Sequence, residues 1–147
     1  MPDKPIRVLL VEDNLGDIVL VREALKEAQL ECELSIQDNG ESMLRMIEKS
    51  EQDGGPFPDI VLLDLNLPRI DGLQLLERMR RDPRWAEVPV VIASSSDSPH
   101  DRQVAAALGV SEYFRKPSDY DQFMRIGAIV RRLVAHLVTG GGSTASC

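Results

Sequence analysis

An α/β fold built on a doubly wound (βα)5 parallel sheet is predicted, and three observations predict it. Short apolar runs alternate with stretches whose apolar residues recur every three or four positions, the pattern of repeated strand–helix units. The run Ile60–Leu63 is apolar at every position, as expected of a strand covered on both faces. Four of the runs end in polar residues: Glu12-Asp13, Asp64, Ser94 and Lys116-Pro117.

The first strand is Ile6–Val11. The first helix, residues 15–28, sets Ile18, Val21, Leu25 and Ala28 on one face. A weaker second strand, 33–37, is broken by Asp38-Asn39-Gly40, and a second helix keeps Gly40, Met43, Leu44 and Ile47 in helical spacing. Residues 52–58 contain Gly54-Gly55-Pro56 and Pro58 and read as a loop. The third strand, 59–64, leads to a helix that begins near Gly72 and aligns Leu75, Leu76 and Met79. That helix ends before Asp82-Pro83, because a residue preceding proline avoids helical torsions. After a fourth strand at 89–94, Pro99 suits the first turn of a fourth helix, Val104, Ala105 and Leu108 face inward, and Gly109 stops it. The fifth strand is Glu112–Arg115. A fifth helix, 119–138, repeats Phe123, Ile126, Val130, Leu133, Val134 and Leu137 on one face. Residues 139–147, with three successive glycines, are expected to form a flexible tail, leaving 1–138 as one domain.

The totals narrow the function. A chain of 147 residues has single-domain size. With 4% aromatic residues, aliphatic side chains must fill the interior. The net charge of -7 argues against a nucleic-acid surface, which needs clustered Lys and Arg, and suits a divalent cation or basic partners. Cys32 and Cys147 are too few for a disulfide framework and read as thiols in a reducing compartment. No apolar stretch approaches the roughly 18 residues of a membrane span, and no signal-peptide pattern opens the chain. A cytoplasmic location is the expectation.

Ligands of open parallel sheets bind beyond the carboxyl ends of the strands, so the polar stops converge on one edge. Asp64 ends a fully apolar run, where a carboxylate is costly unless paired or metal-bound, and carboxylates can act as covalent nucleophiles. Alone it reads as a turn or capping residue; its companions reverse that. Glu12 and Asp13 repel each other unless a hard cation neutralises them, and magnesium is commonly held by carboxylates, water and phosphate oxygens. Alone they read as a solvated loop, with Asn14 or Asp17 capping the first helix. Lys116 can reach a phosphoryl oxygen as a point charge, and Pro117 restricts the backbone after it. Ser94 offers a hydroxyl, although Ser95 and Ser96 beside it also fit a plain turn.

The spacing carries more than the residues do singly. Val8-Leu9-Leu10-Val11-Glu12-Asp13-Asn14, then Asp64-Leu65-Asn66-Leu67-Pro68 with Asp71-Gly72, then Ser94 thirty residues and Lys116 fifty-two residues beyond Asp64, resemble the receiver domains of two-component response regulators. The resemblance covers about residues 5–138 and implies a flavodoxin-like three-layer sandwich with strand order 2-1-3-4-5. It implies that Asp64 is the phosphoacceptor and that Glu12, Asp13, Asp64 and the backbone carbonyl of Asn66 hold Mg2+, with Mn2+ able to substitute. It implies that Lys116 contacts the phosphoryl group and that Ser94 and Tyr113 are switch residues. Asn66 and Ser96 stand where receivers tune the rate of hydrolysis. Leu15-Gly16-Asp17, the run after Asp64 and the enlarged loop before the third strand resemble stand-alone receivers paired with phytochrome-type histidine kinases. That subgroup implies a bacteriophytochrome as the kinase and a homodimer through helix four, strand five and helix five. Met124, Ile129 and Val138 either supply such a contact or cover the domain's own edge.

The implied function is that of a signalling switch rather than a turnover enzyme. Asp64 takes a phosphoryl group from a sensor kinase phosphohistidine, the face of helix four, strand five and helix five changes, a downstream protein target responds, and slow autodephosphorylation resets the state. No nucleic acid and no membrane enter this scheme. A flavodoxin-like nucleotide binder would need a glycine- or hydroxyl-rich phosphate loop where Glu12-Asp13 stand. A haloacid-dehalogenase-type phosphatase expects a second aspartate where Asn66 stands. A receiver fold used as a phosphorylation-independent docking module is excluded by no residue.

Overall fold

Strand β1 (Ile6–Val11) pairs in parallel with β2 (Cys32–Gln37) on one side and β3 (Ile60–Leu63) on the other. Strands β4 (Val90–Ser94) and β5 (Glu112–Arg115) complete a sheet of order β2-β1-β3-β4-β5, the order that the resemblance implies. The computed structural model describes residues 5–138, so the expected tail, Cys147 included, lies outside the described residues. Because every strand runs the same way, all carboxyl ends share one edge. Hydrogen bonding runs one residue past three of those ends. Glu12 N–H donates to the Gln37 carbonyl (3.0 Å), Asp64 N–H to Val11 (3.0 Å) and Lys116 N–H to Ser94 (2.8 Å). The sheet itself thus holds the backbones of Glu12, Asp64 and Lys116 in place.

Alternation along the strands feeds two separate cores. Val8, Leu10, Leu62 and Ala93 face α1 (Leu15–Glu27) and the C-terminal helices, where they meet Val21, Leu25, Ile126 and Val130. Leu9, Val11, Leu63 and Ile92 face α2 (Gly40–Asp53), α3 (Gly72–Arg81) and α4 (Pro99–Ala107), where they meet Met43, Ile47, Leu75 and Met79. The four interior positions of β3 are wholly buried, as its unbroken apolar run predicts. Asn14, Asn39, Asp71 and Ser98 cap α1 to α4 through side-chain oxygens, which satisfy N–H groups left open in the first turn. Gly109, at φ +75°, ends α4 as expected of a left-handed stop.

Two features depart from the sequence reading. The single fifth helix expected over 119–138 is three short ones: α5 (Tyr120–Phe123), α6 (Arg125–Leu133) and α7 (Ala135–Val138). The chain is tightest on α1 at Gly127, where any Cβ would overlap the Ala24 carbonyl oxygen. The helical ladder tightens there, with Gly127 N–H bonded back to Met124 at 3.1 Å, and breaks again at Val134. The second break turns Leu137, expected inward, to 45% exposure. Met124 and Ile129 are half-buried and pack on the α1-side core. A 3-10 turn, Trp85–Glu87, also interrupts what reads as a plain connection. Its Trp85 is completely buried and donates through Nε1 to Ser50 Oγ at 2.8 Å. Arg80 binds this turn to the end of α4, donating to the carbonyls of Trp85, Ala86, Val88, Leu108 and Gly109.

Candidate functional site at the carboxyl edge of the sheet

Asp64 sits at the bottom of the edge, 5% exposed, directly after β3. The start of α3 lies against its backbone: a Cβ on Gly72 would come 2.5 Å from the Asp64 carbonyl oxygen, so glycine permits this approach. Asp64 Oδ1 accepts the Asn66 N–H at 3.0 Å, which fixes the carboxylate's rotation. The two acids after β1 part company. Glu12 is 1% exposed, whereas Asp13 lies in the exposed rim. Carboxylate oxygens of Glu12, Asp13 and Asp64 nevertheless lie within 4.8 Å of one another. This is a set of hard oxygen donors of the kind that holds Mg2+ or Mn2+.

Lys116 enters the cluster from the end of β5. Its ammonium donates to Glu12 Oε1 at 2.6 Å and to Asp17 Oδ2 at 2.7 Å, and stands 3.4 Å from Asp64 Oδ2. Its side chain is 9% exposed. Sequence reasoning names Asp17 as an alternative cap and as part of the Leu15-Gly16-Asp17 run, and assigns it no role in the site. Asn14 takes the cap, accepting the Asp17 N–H at 2.9 Å, and the Asp17 carboxylate is left to reach Lys116. An acid in the first turn of α1 is the only local signal of this role; the partner is distant in the chain.

The protonation of the cluster follows from burial. Desolvation raises Glu12 to about 7, opposed by Lys116 and reinforced by the Asp64 charge. The folded chain holds that proton more tightly than the unfolded chain, so Glu12 alone subtracts stability as pH rises from 4.5 through about 7. Burial works against the Lys116 charge too, but the bonds to Asp17 and Glu12 and the charges of Asp64 and Glu12 outweigh it and hold Lys116 above its ordinary range. Three carboxylates face one ammonium and a fourth, Asp13, lies beside two of them, a surplus of negative charge suited to cation binding.

Ser94, fully buried, ends β4 beside Asp64. Its hydroxyl oxygen accepts from the Asn66 side-chain amide (3.1 Å) and the Ser96 N–H (3.2 Å). The side chain of Asn66 therefore bridges the ends of β3 and β4, a link that the sequence does not announce. Tyr113 lies farther out, half-buried, with its hydroxyl donating to the Ser96 carbonyl at 3.0 Å. Burial keeps that hydroxyl above the usual tyrosine range, so it remains a donor. Arg102 of α4 stacks on the ring at 4.3 Å and pairs with Asp97 at 2.8 Å, another contact that sequence reading passes over. Thus Glu12, Asp13, Asp64, Lys116, Asn66 and Ser94 form one connected group, and Tyr113 joins it through the loop after β4.

Comparisons with known proteins give the family and the fold. The family described as response regulator receiver domain matches residues 8–126. The chain is 34% identical to the response regulator Rcp1 of Synechocystis sp. over 113 residues, 76% of this chain and 77% of that protein. The Mn2+-bound structure of Rcp1 superposes with TM-score 0.78 at 30% identity, covering 96% of this chain and all of that one. The phosphorylated cyanobacterial phytochrome response regulator RcpA gives TM-score 0.79 at 28% identity over 97% of this chain and 100% of its own. The bacteriophytochrome response regulator RtBRR gives 0.72 at 27% identity over 97% of this chain and 84% of its own.

Proposed function

The chain belongs to the response regulator receiver family of two-component signalling, and from that premise we propose that Asp64 accepts a phosphoryl group in a metal-dependent reaction. The observation that carries the reading is the Asp64 carboxylate itself, set among the Glu12 and Asp13 oxygens with the Lys116 ammonium at 3.4 Å. We take residues 1–138 as the unit that performs it. The phosphodonor is the phosphohistidine of a sensor kinase, of phytochrome type on the strength of the likeness to RcpA and RtBRR.

In this reaction an Asp64 oxygen attacks phosphorus and the P–N bond to the donor imidazole breaks. The electron pair leaves with the imidazole, and an acyl phosphate remains on Asp64. Hydrolysis later cleaves the acyl phosphate, releasing inorganic phosphate and restoring the carboxylate. Such transfers depend on positioning and charge neutralisation more than on covalent help. Lys116 faces the developing charge, and Asn66 N–H fixes the nucleophile through its other oxygen. Glu12, Asp13 and Asp64, with the Asn66 backbone carbonyl, would hold Mg2+ or Mn2+, whose contribution is to neutralise charge on the phosphoryl oxygens.

The acyl phosphate adds roughly 1.5 to 2 negative charges beside the buried Ser94 hydroxyl. Ser94 is the group assigned to follow that charge, and it shares the loop after β4 on which Tyr113 is hydrogen-bonded. The phosphate shifts population toward whichever arrangement of that loop pairs best with it. The output is a changed surface of α4, β5 and the C-terminal helices, read by a downstream protein or by a second copy of the chain.

Intact mass after incubation with acetyl phosphate and Mg2+ tests the reading on wild type and Asp64→Asn. A single phosphate adduct that requires Mg2+ and disappears in Asp64→Asn is expected. No adduct on the wild type, together with no Mg2+ binding, would leave the docking module as the better account.

A further inference from the structure

We propose that Asp17 is a positioning residue that aims Lys116 at the phosphoryl group. The proposal rests on the receiver reading and deepens it. An ammonium has three protons to place. Two go to Glu12 Oε1 at 2.6 Å and Asp17 Oδ2 at 2.7 Å. The third is left for the Asp64 side, where Oδ2 lies at 3.4 Å, well beyond the roughly 2.7–2.9 Å of a charge-assisted bond. That slack is space into which a phosphoryl oxygen on Asp64 can move. With Asp17 removed, the ammonium keeps one short contact and swings on its flexible four-carbon stem.

Local structure leaves Asp17 free for this task. Asn14 is the cap of α1, so the Asp17 backbone is satisfied and its side chain is uncommitted. The carboxylate then joins the first turn of α1 to the end of β5, ninety-nine residues along the chain. Glu12 cannot replace it. Glu12 Oε2 already accepts the Asn14 N–H at 3.2 Å, and its carboxylate belongs to the acidic group suited to a cation. Asp17 is outside that group, which separates the two duties.

A plain strap between α1 and β5 is the competing account, and kinetics tell them apart. Initial rates of phosphate uptake from acetyl phosphate at saturating Mg2+ would be measured for wild type, Asp17→Asn, Asp17→Ala, Lys116→Met and the double variant Asp17→Ala/Lys116→Met. Thermal unfolding and Mn2+ titration by electron paramagnetic resonance would accompany them. We expect Asp17→Ala to lower the maximal rate on the order of tenfold, as misplacement of a charge-stabilising group does. Asp17→Asn should lose less, half-saturation by the donor should stay put, and the double variant should be no slower than Lys116→Met. An equal or faster rate in Asp17→Ala overturns the proposal. So does a further loss in the Lys116→Met background, or a fall in Mn2+ affinity as large as that of an Asp13→Asn control titrated alongside. Absence of any adduct on the wild type is a different result: it overturns the receiver reading, and the role of Asp17 with it.

Discussion

Among the described residues, two polar clusters that reach into the interior are built on opposite rules. Between α2, α3 and the 3-10 turn, Trp85 Nε1 donates to Ser50 Oγ, Ser50 Oγ donates to the Ile47 carbonyl, and Arg78 grips Glu51 with two bonds of 2.7 Å. Phe57 packs edge-on against Trp85 at 5.5 Å, and Arg84 lies over Phe57 at 5.1 Å. Each donor meets an acceptor and each charge its opposite. At the carboxyl edge, Glu12, Asp17 and Asp64 share one Lys116, and the Asp13 carboxylate adds a further negative charge beside Glu12 and Asp64. The first cluster stabilises the fold because it is complete. The second is the candidate site because its charge is not balanced, and a buried group left short of a partner is where a ligand gains most.

The largest expected effect breaks the closed cluster. Trp85→Ala removes a wholly buried side chain and should cost about 3–5 kcal/mol in urea unfolding, while the molecules that remain folded still take up phosphate on Asp64. Ser50→Ala strands the Trp85 indole N–H and should cost about 1–3 kcal/mol by the same measurement. The open cluster should respond in the other direction. Mg2+ at ten times its dissociation constant should raise stability by about 1.4 kcal/mol. Asp13→Asn should show a slightly higher melting temperature without Mg2+, since one of the crowded carboxylates is gone, and a much smaller response to Mg2+. A Mg2+ response as large in Asp13→Asn as in wild type would mean that the surplus charge of the second cluster does not hold the cation.

The fold and most of the candidate site are legible in the chain because they depend on local pattern. An apolar run must be a strand if it is short and bounded by turns, and the residue after it must lie at the strand's carboxyl end. That reasoning reaches Glu12, Asp64, Ser94 and Lys116 without coordinates. It falls short where two elements meet. Gly127 looks like any helix-weakening residue until the Ala24 carbonyl is seen against it, and the breaks at Met124 and Val134 leave the apolar spacing of the C-terminal helix unchanged. Trp85 sits in a connection with no period, so its burial and its bond to Ser50 leave no trace in spacing.

By itself, then, the sequence determined the parallel layered architecture, the edge at which chemistry gathers, and the residue types available there, because strand period and termination are local properties. Only the tertiary structure decided that Glu12 is buried while Asp13 is exposed, that Asn66 spans to Ser94, that Arg102 covers Tyr113, and that Asp17 joins Glu12 in holding Lys116. Those outcomes depend on how segments far apart in the chain meet: where β1, β3, β4 and β5 end in one sheet and how α1 and α4 pack on it.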